Sequence, residues 1–188
     1  MKGKKRERII RVILNDPDGS LTKYRVAKSS RTSTSWTIEY LRSLEDLGLI
    51  ERTEVKDYEG LIDEWLKISK KPKYFDFFIN DPKDFLNDIQ MDYALTTYFA
   101  DTFTNSILFP SRADVYIKRG DFQKWKDILL EKGLMGKGNF RLLLDDEHVF
   151  YNKFKARGFW IVSEPQLMLD LKREGGVCLQ SYEKMVKK

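Results

Sequence analysis

Residues 22–50 constrain the fold more than any other stretch of the chain. Val26-Ala27 is followed, after five residues, by Ser33-Thr34-Ser35-Trp36-Thr37, and then by Leu41, Leu44 and Gly48-Leu49-Ile50. Thr22 is placed to cap a short helix carrying Tyr24, Val26 and Ala27, and Ser29-Ser30-Arg31-Thr32 breaks it. Ser33 or Thr34 caps the next helix, because a short hydroxyl side chain accepts from the free N–H groups of a first turn. That helix carries Trp36, Thr37, Tyr40, Leu41, Leu44 and Leu47, the three- and four-residue spacing of one buried face. Gly48 ends it, since helices commonly close on a glycine in the left-handed region.

Upstream, Ile9, Ile10, Ile13 and Leu14 make one apolar face of a helix over Arg8–Leu14, and Asp16-Pro17-Asp18-Gly19 is a turn. Downstream, Glu51–Val55 reads as extended, Lys56–Gly60 as a turn and Leu61–Ile68 as a returning strand. The expected order is helix, helix, helix, hairpin. Lys70-Lys71-Pro72-Lys73 interrupts the pattern, Tyr74–Ile79 is an aromatic β-prone run, and Asn80-Asp81-Pro82 closes it. A domain boundary near residue 82 follows, giving units of 1–82 and 83–188.

The second unit mixes element types. Phe85–Phe103 reads as one or two helices, Ala113–Lys118 as a strand and Phe122–Leu130 as a helix. Phe140–Leu144, Val149–Phe154 and Phe159–Val162 are further strands. A helix with Pro165 in its first turn runs to about Arg173 and stops at Gly175-Gly176, and a last one covers Leu179–Val186. The fold class is α+β.

Charge is uneven along the chain. Residues 1–31 carry ten basic and three acidic side chains, residues 32–90 eight and thirteen, and residues 91–188 sixteen and thirteen. A basic cluster attracts a phosphate backbone, and equally serves as a solubilising tail. The longest uncharged apolar stretches are far below the ~18–20 residues of a bilayer span. No apolar block of a secretory signal follows the basic start. One cysteine, Cys178, and one histidine, His148, offer neither a disulfide nor a zinc ligand set. The expectation is a soluble cytoplasmic protein without metal, cofactor or membrane contact.

The first 70 residues resemble the winged helix-turn-helix regulators of bacteria and archaea. That likeness implies a third helix whose N-terminal residues meet base edges in the major groove. Ser33, Thr34 and Ser35 are short hydroxyl residues at a helix N-terminus, suited to phosphates and to either base type. Thr22, Lys23 and Arg31 cluster at the ends of the two helices and their turn, and Arg42 reaches a phosphate or pairs with Asp46. The hairpin sets Arg52, Lys56 and Tyr58 among Glu51, Glu54, Asp57 and Glu59. Either it meets DNA through Lys56 and Tyr58 alone or it faces elsewhere.

Ile161–Leu171 with Gly175-Gly176, together with Phe109–Tyr116, resembles the C-terminal region of the AbiEi-like antitoxin regulators of type IV toxin–antitoxin systems. The resemblance implies a DNA-binding autoregulator whose partner is a nucleotidyltransferase-type toxin. No catalytic pattern stands out: Asp145-Asp146-Glu147-His148 reads as a polar turn rather than a metal site, and Gly133-x-x-Gly136-x-Gly138 lacks the spacing of a phosphate loop. The reading is a non-enzymatic, sequence-specific regulator on double-stranded DNA, acting as a dimer or as cooperative monomers. The alternative is a winged-helix protein-interaction module that binds no nucleic acid.

Overall fold

Helix α1, Lys2–Leu14, turns Ile9, Ile10, Val12, Ile13 and Leu14 into a core that excludes water. The computed structural model describes residues 2–187 and divides them into two compact units. One runs to Lys70 and includes Glu164–Leu169; the other is Lys71–Ser163 with the residues from Asp170 on. The division falls after Lys70 and not near residue 82, because Lys73–Ile79 is an inner strand of the second unit's sheet. No helix among the described residues is long and apolar enough to cross a membrane.

In the first unit, α1 is followed by α2 (Lys23–Ser29), α3 (Thr34–Asp46), strands β1 (Ile50–Glu51) and β2 (Glu54–Val55), and α4 (Tyr58–Ile68). Arg52-Thr53 forms the hairpin turn, with Arg52 at φ 59°. Gly19 holds φ 71° where a Cβ would stand 2.7 Å from the backbone nitrogen of Glu54, so the turn after α1 closes on the hairpin only with glycine there. Gly48, at φ 72°, follows α3 as its spacing predicts.

The returning strand expected over Leu61–Ile68 is a helix. Leu61, Ile62 and Trp65 follow a helical interval and all are buried, while Asp57 accepts from the Gly60 amide at 2.8 Å and caps the first turn. The expected turn over Lys56–Gly60 is therefore a helix start. Arg11, one of the ten N-terminal cations, is 2% exposed: its Nε donates to Gln166 Oε1 at 2.9 Å and its guanidinium lies over Trp65. It is a core group and not part of the exposed basic cluster.

The second unit is built on one seven-stranded mixed sheet, in the order β6-β3-β7-β5-β4-β9-β8. The strands are β3 (Lys73–Ile79), β4 (Tyr93–Thr96), β5 (Ala113–Ile117), β6 (Gly133–Met135), β7 (Phe140–Leu144), β8 (Phe154–Ala156) and β9 (Phe159–Ile161). Helices α5 (Pro82–Asp88), α6 (Thr97–Thr104), α7 (Phe122–Lys132) and α9 (Cys178–Val186) belong to this unit. The first residues of α8 (Glu164–Glu174) count with the first unit and the rest with this one. Three readings change. Phe85–Phe103 contains β4 between α5 and α6, Gly133–Met135 is a strand, and Glu147–Phe150 is a 3₁₀ turn that delays β8 to Phe154.

Register assigns the two faces of the sheet. Phe75, Leu142, Val115, Leu95 and Ile161 lie in one row across five strands, and Phe77 pairs with Phe140 on the same face. Phe85 of α5 and Trp125 of α7 pack there, with Phe85 edge-on to Phe140 at 5.3 Å. The opposite face carries Asp76, Arg141, Asp114 and Thr96 in register across four strands. A polar row in mid-sheet places opposite charges directly across from one another.

Candidate functional site

Helix α3 begins at Ser33, whose backbone takes the N-cap position but whose hydroxyl makes no capping bond. Neither do Thr34 and Ser35 spend their hydroxyls inside the protein, and all three residues are exposed. The cap expected from Ser33 or Thr34 is thus absent, and three exposed hydroxyl residues stand at the start of α3. A helix N-terminus in that state carries a positive dipole end and unspent donors, the two things an oxyanion binds.

The turn before it is held by hydroxyl chemistry that sequence reading does not reveal. Ser30 Oγ donates to Val26 O at 2.7 Å, Thr37 Oγ1 donates to Ser33 O at 2.9 Å, and Thr32 Oγ1 lies between them at 2.8 and 2.6 Å. Each hydroxyl has one proton, and with those of Ser30 and Thr37 spent on carbonyls, Thr32 donates to one of the two at a time. This chain joins the end of α2 to the start of α3. Thr37→Val keeps the shape and removes the link; it should lower the unfolding free energy by about 1–2 kcal/mol, measured by urea denaturation.

The other expected contact residues separate into free and committed groups. Thr22 caps α2 by accepting from the Arg25 amide at 3.2 Å. Lys23 is paired with Glu45 at 3.3 Å, and Lys56 is held by Glu54 at 2.7 Å and Glu51 at 3.3 Å. The carboxylates raise the Lys56 ammonium above its ordinary value, hydrogen bonding to Glu54 being the main cause. Tyr58 lies in the first turn of α4 and not in a hairpin tip. Arg31, at φ 55° after α2, is exposed and makes no ion pair among the described residues. Arg42 is likewise exposed and does not pair with Asp46, although Glu39 and Asp46 share its side of the helix.

Three residues of α2 are exposed and were not among the expected contact residues. Arg25 and Lys28 are exposed without ion-pair partners, and Tyr24 is 64% exposed where the apolar pattern placed it inside. A seven-residue helix shows too little of its period for the stripe to select a face. Trp36 and Tyr40 stack on each other at 5.7 Å beneath Lys5 and Arg6 of α1, so their rings are used in packing.

The second unit has a cavity of about 300 Å³ on the polar face of its sheet. Asp114 of β5 forms its floor: Arg112 Nε and Nη2 donate to the two carboxylate oxygens at 2.6 and 2.9 Å, and Thr97 Oγ1 donates to one of them. Burial pushes the Asp114 carboxyl upward, against the pull of Arg112, Thr97 and Arg141. Asp170 of α8 is the second buried carboxylate; Thr96 Oγ1, Tyr116 OH and Arg173 Nη1 donate to it at 2.9, 3.1 and 2.7 Å. Burial raises the Tyr116 hydroxyl well above its ordinary value, and the Asp170 charge adds to this, so Tyr116 stays a donor.

Asp145 and Asp146 serve the 3₁₀ turn. Asp146 accepts from the His148 amide at 2.8 Å, and the buried imidazole of His148 stacks on Tyr151. Cys178 is buried, and that burial raises its thiol to about 11. Comparisons with family models, with curated proteins and with solved structures returned no match.

Proposed function

We propose that the chain is a sequence-specific DNA-binding transcription regulator that presents the start of α3 to the major groove. The carrying observation is the set of unspent hydroxyls at Ser33, Thr34 and Ser35 on an uncapped helix N-terminus, beside the unpaired cations of Arg25, Lys28 and Arg31. The element order of α1 through β2 agrees with a winged helix-turn-helix, with the hairpin as a short wing. Lys23 and Lys56, tied to carboxylates, drop out as principal phosphate contacts in this reading.

The test is duplex binding to a selected sequence pool as a function of salt. Log affinity should fall with log salt at about 0.9 per phosphate contact. Thr34→Ala and Ser35→Ala should shift base preference by about 1–3 kcal/mol at one position while leaving the salt slope unchanged. Unaltered preference in both variants, with folding intact by circular dichroism, would remove α3 from the reading role.

The likeness of Phe109–Tyr116 and of Ile161–Leu171 with Gly175-Gly176 to the AbiEi-like regulators supports extending the proposal to an antitoxin-type autorepressor. Co-purification with the product of an adjacent nucleotidyltransferase-like gene tests that extension. A second reading, a protein-interaction module, draws on the acidic hairpin around Lys56 and on Glu39 and Asp46 beside Arg42. It requires that no duplex binds at any salt concentration.

A further inference from the structure

The cavity on the polar sheet face has an imbalance between acceptors and donors. Its two buried carboxylates are already served: Asp114 by Arg112 and Thr97, and Asp170 by Thr96, Tyr116 and Arg173. A carboxylate offers about four acceptor sites, so little capacity remains for a ligand's donors. The cations are not exhausted in the same way. Arg112 commits Nε and Nη2, the latter to Asp114 and to Glu174 at 2.8 Å, and leaves Nη1 uncommitted. Arg141 commits Nε and Nη2 to Asp76 at 2.6 and 3.4 Å and also keeps Nη1. Lys71, which also lines the cavity, is exposed and has no ion-pair partner among the described residues. Glu174, bonded by Arg112, is a third carboxylate on the lining, but four cations (Lys71, Arg112, Arg141 and Arg173) stand against three carboxylates, which favours an acceptor of several hydrogen bonds, an anion.

Two further features narrow the class. Arg112 stands just before β5, Arg141 lies on β7 and Lys71 precedes β3, so the donors come from separate segments of chain. A planar carboxylate is satisfied by one arginine fork, whereas a phosphate accepts from several directions at once. Tyr74 lies at the same cavity, 53% exposed, with the Arg141 guanidinium 4.2 Å from its ring centroid. That arrangement offers an aromatic surface to a second flat group. The volume is at the lower end of the ~300–1,000 Å³ typical of small-molecule sites, which suits a metabolite and not a polymer. Thr97, buried and β-branched, is held at φ 50° with its hydroxyl on Asp114. Strain of that kind persists only where the surroundings enforce it, and it collects at ligand sites.

We propose that this cavity binds a small organic phosphate carrying a planar ring, of the nucleoside monophosphate class, with Arg112, Arg141 and Lys71 on the phosphate and Tyr74 against the ring. Isothermal titration calorimetry of the full chain with adenosine 5′-monophosphate, ribose 5-phosphate, inorganic phosphate and adenosine tests it. The monophosphate should bind best, the two phosphates that lack a planar base more weakly, and adenosine not measurably. Arg141→Gln should weaken the monophosphate roughly tenfold or more, and Tyr74→Ala should weaken it while leaving ribose 5-phosphate unchanged. Both side chains are partly solvent-exposed, and circular dichroism with thermal unfolding establishes that each variant is folded. Failure of every phosphate to bind the folded wild-type chain overturns the proposal, as does monophosphate binding that Arg141→Gln leaves intact. Ribose 5-phosphate binding as tightly as the nucleotide overturns the ring assignment. Duplex binding plays no part in these outcomes, so the site stands or falls apart from the DNA reading.

Discussion

Replacing Asp101 with alanine should lower the unfolding free energy by about 3–5 kcal/mol, the largest stability effect expected from one side chain here. Asp101 is fully buried near the end of α6. Its Oδ2 accepts from the Ile107 and Leu108 amides at 3.0 and 2.6 Å, and Ser181 Oγ of α9 donates to Oδ1. One carboxylate thus fastens the loop after α6 and joins it to the last helix. Alanine leaves these donors without their acceptor, and a buried unpaired donor costs more than the bond was worth. Asp101→Asn is the informative control. Its amide oxygen can serve the two backbone N–H groups, and its NH₂ can donate to Ser181, whose hydroxyl is also an acceptor. Urea denaturation of both variants should show the asparagine protein recovering most of the loss. An equal loss in both would mean that the charge, and not the count of hydrogen bonds, holds the loop.

The second large effect concerns affinity for DNA. A triple variant Arg25→Ala, Lys28→Ala, Arg31→Gly should bind all duplexes more weakly, by about a hundredfold at low salt if each charge-assisted contact carries roughly 1 kcal/mol. Its salt slope should be shallower by about 2.7, at 0.9 per contact. Glycine is chosen at position 31 because Arg31 sits at φ 55°, a conformation glycine adopts without strain. The turn is then relaxed, so weaker binding cannot be charged to local misfolding. Wild-type affinity and slope in the folded variant would exclude α2 and its turn from the DNA face.

These effects differ in how far the sequence foretells them. The three N-terminal helices could be read from the sequence because their information is local. Caps, the glycine after α3 and apolar residues at a helical period lie within a few turns of one another. The same local grammar was present over Tyr58–Ile68, where Asp57 and the spacing of Leu61, Ile62 and Trp65 encode a helix, and the expectation of a hairpin obscured it. Strand β4 was hidden for a different reason. All four residues from Tyr93 to Thr96 are buried, so no alternation of polar and apolar residues marks them as a strand.

For the proposed DNA-binding face, the sequence shows the hydroxyl run at the start of α3 but not which cations are free. Lys23 looks like Arg31 in a charge count, and only folding brings Glu45 against it; the carboxylates that hold Lys56 are already its neighbours in sequence. The cavity lies further still from the sequence. Asp170, Arg112 and Asp114 stand in strings that the sequence marks only by their likeness to a family. Asp76, Arg141 and Asp114 come from three strands separated by long stretches of chain, and strand register alone sets them in one row. Local hydrogen bonding and side-chain periodicity wrote the helices into the sequence; long-range strand pairing, which no short window encodes, decided which charges are paired, buried or left for a ligand.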